Sequence, residues 1–485
     1  MSSPATVPLP AELLPAESLG RVHFVGIGGA GLSAIARIML ARGITVSGSD
    51  AAGSPVLEQL RGQGATCFVG HAAEQLGAAD TVVVSTAVRA SNVEVVEARR
   101  RGLRLLPRSA ALESVMQSRR VVAVAGTHGK TTTTALLTVM LMHCGADPSY
   151  CIGGDLALTG ANAAEGSGDL FVVEADESDG AFLVYSPYAA IVTNVEADHL
   201  DSYGTETAYV AAFERFLDRI RPGGFVVCCA DDPGAHRLAE LARDRGVETI
   251  TTGTAADADL VVSAPVFAGS SSRFSVSRDG SALGTVTLQI PGLHYVLDAA
   301  CALAVGLRLG FAFADAAAGL AAFTGTRRRM ERKGEADGVR VYDSYAHHPT
   351  EIGADLRAAR ALSGAGRLVV CFQPHMYSRT RVFAAAMGEA LSLADHVVVM
   401  DVYGAREDPE PGVDGALVAS YVGLDPACVE VRTGRDGVVE ALVAAARPGD
   451  LVLTLGAGDV TLLGPLVLEA ITARAAAEQV RGRQC

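Results

Sequence analysis

The chain has 485 residues, 49% of them apolar, and a formal net charge of −14. That length predicts about three domains with ample cores, and so acidic a chain argues against a nucleic-acid or membrane-surface partner, leaving small molecules or other proteins. Nine scattered cysteines without a C-x-x-C pair, no signal peptide and no uninterrupted apolar run of about 18 residues predict reduced thiols in a cytoplasm and no membrane span.

Residues 1–19 are rich in Pro and Ala and read as a loose tail. Arg21–Val25 reads as a strand that runs through Gly26-Ile27-Gly28-Gly29-Ala30-Gly31 into a helix, Leu32–Arg42. A second strand, Ile44–Ser47, is followed by Asp50. This is the glycine fingerprint of a dinucleotide-type βαβ unit, with the acidic residue at about the expected distance. Alone it says that a diphosphate can sit on the first helix, or merely that a tight turn joins strand to helix. Thr81–Ser85 is a strand leading into Thr86, and Arg104–Leu106 a short strand that Pro107 turns into the helix Ser109–Gln117. The first boundary falls near Gln117, giving a domain over 20–117.

A middle domain over 118–326 opens on Arg119–Thr134, RRVVAVAGTHGKTTTT. Val121–Val124 is a β-branched strand, followed by a glycine turn and the helix Thr131–His143. Gly126 and Gly129 let backbone N–H groups approach a phosphate, and the helix N-terminus adds its positive end. Lys130 supplies a point charge for terminal phosphates and Thr131 a hydroxyl for Mg²⁺. Val124 stands where a full phosphate-loop motif has glycine. The alternative is a plain glycine turn with an incidental Lys, but Lys occurs only at 130 and 333, and the other 38 of the 40 basic residues are Arg.

The apolar strand Asp169–Val173 ends in Glu174-Ala-Asp176-Glu177-Ser-Asp179, and Ala189–Thr193 ends in Asn194-Val-Glu196-Ala-Asp198-His199. Both strands are expected to flank the phosphate-loop strand. Mg²⁺ keeps phosphates and waters and needs few protein ligands, so Thr131, Glu174 and His199 form a sparse candidate set. Solvated acids and a packing histidine are the plainer alternatives. The helix Ala208–Ile220 and the strand Phe225–Cys229 follow, then alternating residues over 255–290 that predict a small antiparallel insertion, then a helix over Val296–Leu309.

The last domain, 327–485, has strands at Val339–Tyr342, Leu368–Phe372, His396–Met400 and Leu451–Leu455, each ending in polar residues. In open α/β sheets ligands bind beyond such ends. Tyr345, His347, His348, His375 and Arg379 are expected to converge at two neighbouring strand ends, with Arg as a carboxylate clamp. The Arg327–Arg329 run is either a basic linker or a stabiliser of a transferring phosphoryl group.

HFVGIGGAG (23–31), GTHGKTTTT (126–134), EADESDGAF (174–182), TNVEADHLD (193–201), DSYAHHPTEI (343–352), FQPHMYSRT (372–380) and GAGDV (456–460), in this order over residues 20–470, resemble the Mur ligases, and EADESD with YAHHPTE resembles the alanine-adding member. The resemblance implies an α/β protein of three domains: an N-terminal Rossmann-like domain, a central P-loop ATPase-type parallel sheet with the insertion, and a C-terminal Rossmann-like domain. It implies that ATP activates the lactyl carboxylate of UDP-N-acetylmuramate as an acyl phosphate, which the amine of L-alanine then displaces. Mg²⁺, or Mn²⁺, assists, and the chain acts as a monomer or weak homodimer.

By the same resemblance Lys130, Glu174, His199, Arg329, His348 and Arg379 carry the chemistry. ATP falls to Gly126, Thr127, His128, Gly129, Lys130, Thr131, Thr132, His294, Arg329 and Asp343. The UDP group falls to Gly28, Gly29, Gly31, Ser49, Asp50, Ser85 and Thr86, and the amino acid to Tyr345, His348, His375 and Arg379. The chain departs from the common family pattern at Tyr295, Asp298, Met330 and Ser344, and it has no Lys besides Lys130 between 118 and 326 for the carbamylated lysine of sister ligases.

Other readings remain. A recycling ligase would join a tripeptide to the same sugar. An NAD-dependent dehydrogenase would use the first glycine loop, against which the second loop argues. A non-catalytic UDP-sugar-binding regulator would not need Lys130, Glu174 and His199.

Overall fold

The computed structural model describes residues 7–405 and 407–482. The chain forms two compact units: one runs through Ser263 and includes Val276–Gly284 and Leu297–Phe323, and the other comprises Ala264–Ser275, Thr285–Val296 and the chain from Thr324.

In the first unit five parallel strands stand in the order Thr66–Val69, Val46–Asp50, Val22–Val25, Thr81–Val84, Arg104–Pro107. The chain order reverses at Val22–Val25, so the turn after that strand is the crevice where such sheets take ligands. Val22–Val25 and Thr81–Val84 are buried throughout, as strands covered on both faces must be. The edge strand Thr66–Val69 escapes sequence reasoning because its pattern is half exposed. The expected loose tail is corrected for its described part. Ala16 and Leu19 are buried, and the Leu19 carbonyl accepts from the Thr81 hydroxyl at 2.7 Å. Residues 1–6 lie outside the described residues.

A second sheet has the order Ser281–Leu288, Ser271–Arg278, Leu260–Ala268, Glu248–Gly253, Phe225–Cys229, Ala189–Val192, Arg120–Ala125, Leu170–Glu174, Ser149–Cys151, Ala163–Ala164. Arg120–Ala125 lies between Ala189–Val192 and Leu170–Glu174 and is parallel to both. The acidic ends of those two strands therefore flank the turn at Gly126. The insertion over 255–290 is three successive strands, the last two joined by Asp279-Gly280, both at positive φ. That is the turn chemistry of a tight hairpin.

In the second unit the sheet order is Glu331–Ala336, Val339–Ser344, Leu451–Leu455, Leu368–Phe372, His396–Val399, Val429–Val431. The first pair is antiparallel and the others parallel. One expectation is corrected here: the strands ending at Ser344 and Phe372 are not neighbours, because Leu451–Leu455 pairs with both. A late strand inserted at the centre is a long-range pairing that local sequence does not record. The C-terminal helix is the longest apolar one among the described residues. Asp459–Glu478 is long and apolar enough by length and composition to cross one, yet its Leu463, Val467 and Ile471 pack with Val341 and Val452 in the core of this unit. The eight described cysteines are free thiols.

Glu113 lies in the helix Arg108–Met116 and is 3% exposed. Burial pushes its carboxyl up from the ordinary 4.5 to about 7, with hydrogen bonding to Ser186 pulling partly back. The raised pKa means that Glu113 contributes its full stability below pH 4.5 and loses it as pH rises through 7. Glu113→Gln is therefore expected to stabilise the protein at pH 8 by on the order of 3 kcal/mol, the linkage value of a shift this size, and not at pH 4. Denaturant unfolding at the two pH values checks this. An equal effect at both would mean that packing, and not charge, sets the difference.

Candidate active site

The first glycine loop is shaped for close backbone approach. Gly26 has φ +88°, and a Cβ there would meet Ser85 at 3.1 Å. The Gly28 N–H donates to the Asp50 carboxylate at 2.9 Å. Gly29 caps the helix Ala30–Ala41 without a side-chain hydrogen bond, which leaves the first-turn N–H groups to a ligand. Asp50 thus meets Gly28, and Ser85 lies beside Gly26, with Thr86 exposed next to it.

Ser49 departs from expectation. It is fully buried, donates to Glu94 at 2.5 Å and shares a 2.9 Å hydrogen bond with His71. Glu94 also reaches His23 at 3.4 Å and His71 at 3.0 Å. Burial raises the Glu94 carboxyl, and hydrogen bonds from His23 and Ser49 more than offset this, holding it below its usual value. Ser49 is a brace under the loop.

The second glycine loop follows Arg120–Ala125 and opens the helix Lys130–His143. A Cβ at Gly126, φ +136°, would collide with the Thr193 hydroxyl, and Gly129, φ +81°, abuts Asp298. Asn194 pins the loop by accepting from the His128 N–H at 2.8 Å and donating to the His128 carbonyl at 3.0 Å. Thr127 donates to the Glu196 carbonyl at 2.9 Å. The Thr131 hydroxyl donates to Glu174 at 2.9 Å, and Thr132 is buried behind it.

Lys130 Nζ donates to the Gly126 and Thr127 carbonyls at 2.7 and 3.0 Å and lies 2.8 Å from the Glu177 carboxylate. His199 Nε2 stands 3.6 Å from Glu177 and 3.7 Å from Asp198. Burial pushes the Glu177 carboxyl up to about 7 against the lowering charge of Lys130. Glu177 is the residue that sequence reasoning misses. It is one of four acids in EADESD, and nothing local distinguishes the one that turns inward.

The second unit holds the other predicted residues. The Arg328 and Arg329 guanidinium groups lie 4.8 and 5.2 Å from the Tyr345 ring centre. Tyr345, His347, His375 and Tyr403 form a row of rings with successive centroids 5.4, 5.8 and 5.8 Å apart, and Arg379 Nη1 is 3.3 Å from His375 Nδ1. These side chains come together although the strands are not neighbours: the His347 and His375 rings lie 5.8 Å apart. Tyr403 enters this row without having been selected.

Two of the candidates also make contacts within the protein. Asp343 is fully buried and accepts from Thr454 and Thr461, each at 2.7 Å. His348 is the N-cap of the helix Pro349–Ser363: its Nδ1 accepts from the Thr350 N–H at 3.4 Å, and it is 2% exposed. The His294 ring lies 3.9 Å from that of Tyr295, tilted 43° to it, and its Nε2 is 3.4 Å from Asp355.

Chemically, the first unit offers a diphosphate cradle and a phosphate loop with Lys and paired oxygen donors; the second offers an Arg–imidazole–phenol wall. The chain matches the Mur ligase family catalytic domain over residues 21–120, the Mur ligase middle domain over 124–306 and the Mur ligase glutamate ligase domain over 328–458. It is 64% identical over 462 residues to the UDP-N-acetylmuramate–L-alanine ligase of Nocardioides sp., covering 95% of this chain and 98% of the relative. It is 53% identical to the enzyme of that name from Thermobifida fusca, covering 95% and 99%. Among solved structures, the UDP-N-acetylmuramate-alanine ligase of Thermotoga maritima superposes with a TM-score of 0.79 at 29% identity, covering 94% and 99%. A murein peptide ligase from Psychrobacter arcticus superposes at 0.66 and 28%, covering 93% and 99%.

Proposed function

The chain belongs to the Mur ligase family, and on that premise we propose that it is an ATP-dependent ligase joining L-alanine to the lactyl carboxylate of UDP-N-acetylmuramate for peptidoglycan synthesis. The observation that carries this is 64% identity along 95% of the chain to a relative of that activity, on a chain whose phosphate loop keeps Lys130 and the Thr131–Glu174 pair. A carboxylate oxygen attacks the γ-phosphorus and ADP leaves. The neutral amine of alanine then attacks the acyl carbon, and phosphate leaves with the bonding electrons.

Each protein group has a task. Lys130 and the loop N–H groups bind the β- and γ-phosphates and spread the charge of the transferring group. Gly28, Gly29 and Gly31 seat the diphosphate, with Asp50, Ser85 and Thr86 around the uridine. Arg379 and His375 hold the alanine carboxylate, with Tyr345 as a wall, and Arg329 stabilises the phosphoryl group. Thr131 and Glu174, an adjacent hydroxyl and carboxylate, fit a hard cation and would hold Mg²⁺ together with His199. When bound, the ion neutralises charge on the phosphates. Holding both substrates on one protein makes amide formation effectively unimolecular. We place the reaction in the cytoplasm.

The test is ATP-dependent phosphate release with UDP-N-acetylmuramate, run against each amino acid and against the tripeptide of the recycling reaction. L-Alanine is expected to be fastest, with Gly and L-Ser poorer. Discrimination against Gly should be modest, since one methyl group contributes about 1–3 kcal/mol. Faster use of the tripeptide would replace this reading with the recycling one.

A further inference from the structure

Arg108 belongs to none of the groups described so far. It opens the helix Arg108–Met116 directly after Arg104–Pro107, which puts it at the same sheet edge as the first glycine loop. Its Cδ and Nη1 lie 2.9 and 3.5 Å from where a Cβ on Gly31 would stand. The guanidinium therefore covers the first turn of Ala30–Ala41. That turn has no acidic residue and no side-chain cap, so a permanent cation faces the positive end of a helix, the wrong sign for the dipole. Nη2 is 3.5 Å from the Asp176 carboxylate, and the two side chains are 23% and 38% exposed. A 3.5 Å approach is longer than a charge-assisted hydrogen bond, and it leaves the planar fork within reach of a second anion.

We infer that Arg108 is a substrate-binding residue that clamps the diphosphate of the UDP-sugar against the first glycine loop, exchanging Asp176 for a phosphate oxygen. The inference rests on the ligase reading and deepens it. A diphosphate in that place accepts from the first-turn N–H groups and from the guanidinium together, and so removes the sign conflict. Gly31 then has a second reason to lack a side chain: any Cβ there would push Arg108 aside.

The test uses the full chain, with calorimetric titration of UDP-N-acetylmuramate and steady-state kinetics. Arg108→Ala should raise Kd and KM for the UDP-sugar by about ten- to hundredfold, the range of a lost charge-assisted contact. KM for ATP and alanine should stay within about twofold of the wild type, since neither ligand meets this contact. Arg108→Lys should recover only part of the loss, because an ammonium cannot make the paired contact. Asp176→Asn, which frees the guanidinium, should leave UDP-sugar binding intact or tighter; a purely structural ion pair would make Asp176→Asn mimic Arg108→Ala. If Arg108→Ala does not fold, Arg108→Lys with Asp176→Asn carries the same comparison. Unchanged UDP-sugar affinity in Arg108→Ala, or equal rises in all three KM values, overturns the inference. A wild-type chain that fails to bind the UDP-sugar overturns the ligase reading instead.

Discussion

Lys130→Ala is expected to reduce phosphoryl transfer to background while the variant still folds at mildly acidic pH. The lost ammonium is a preorganised charge at the phosphates, worth about 3–4 kcal/mol in the transition state. The structure adds a second consequence. Lys130 neutralises Glu177, whose side chain is fully buried, and without it the carboxylate has lost a counter-charge. Burial already holds the Glu177 carboxyl near 7; removing Lys130 moves it higher. A raised carboxyl pKa means stability that is present at low pH and lost as pH rises through it. The variant should therefore be close to wild-type stability near pH 5 and weaker at pH 8, by up to about 3–5 kcal/mol as for a broken buried pair. The double variant Lys130→Ala/Glu177→Gln should regain the stability and not the turnover. Single-turnover phosphate release and unfolding at both pH values separate the two effects. Near-normal turnover in the single variant would remove the phosphate loop from the mechanism.

Arg379→Ala is expected to raise KM for alanine by about ten- to hundredfold, the scale of a lost hydrogen bond to a charged group, and to slow the chemical step. KM for UDP-N-acetylmuramate should change less. Arg379 is 8% exposed and lies in the helix Tyr377–Leu391, with Nη1 against His375. A guanidinium held that firmly loses little entropy on taking a carboxylate. On the proposed ligase reading, L-glutamate should be a poor substrate. Alanine kinetics unchanged by the substitution, or glutamate used faster than alanine at equal concentration, would sink this assignment.

The chain order of strands, turns and helices was legible because it is local. Runs such as Val121–Val124 have no polar residue to expose, and Gly126 and Gly129 hold backbone angles that other residues avoid. Phe225–Cys229, Leu368–Phe372 and Leu451–Leu455 have the ends expected from their apolar runs. The pairing of Thr131 with Glu174 was legible too, since a hydroxyl at the start of a helix and an acid at a strand end face one another once the two strands are parallel neighbours.

Within clusters the sequence carried less. Ser49, Asp343 and His348 have the chemistry of ligand-binding residues, and each also contacts the protein itself: Glu94, Thr454 and Thr461, and a helix start. The converse cases are Glu177 and Arg108, which look like ordinary surface charges in one dimension. Glu177 meets Lys130 across 47 residues, and Arg108 meets Asp176 across a sheet boundary. By itself the sequence determined the α/β alternation, the two glycine loops and the residue types at each strand end, because backbone freedom and side-chain burial are set by near neighbours. Only the tertiary structure decided which of those polar groups face one another and which also contact the protein itself. The energy of a buried charge depends on what stands within a few ångströms of it, and those neighbours come from distant parts of the chain.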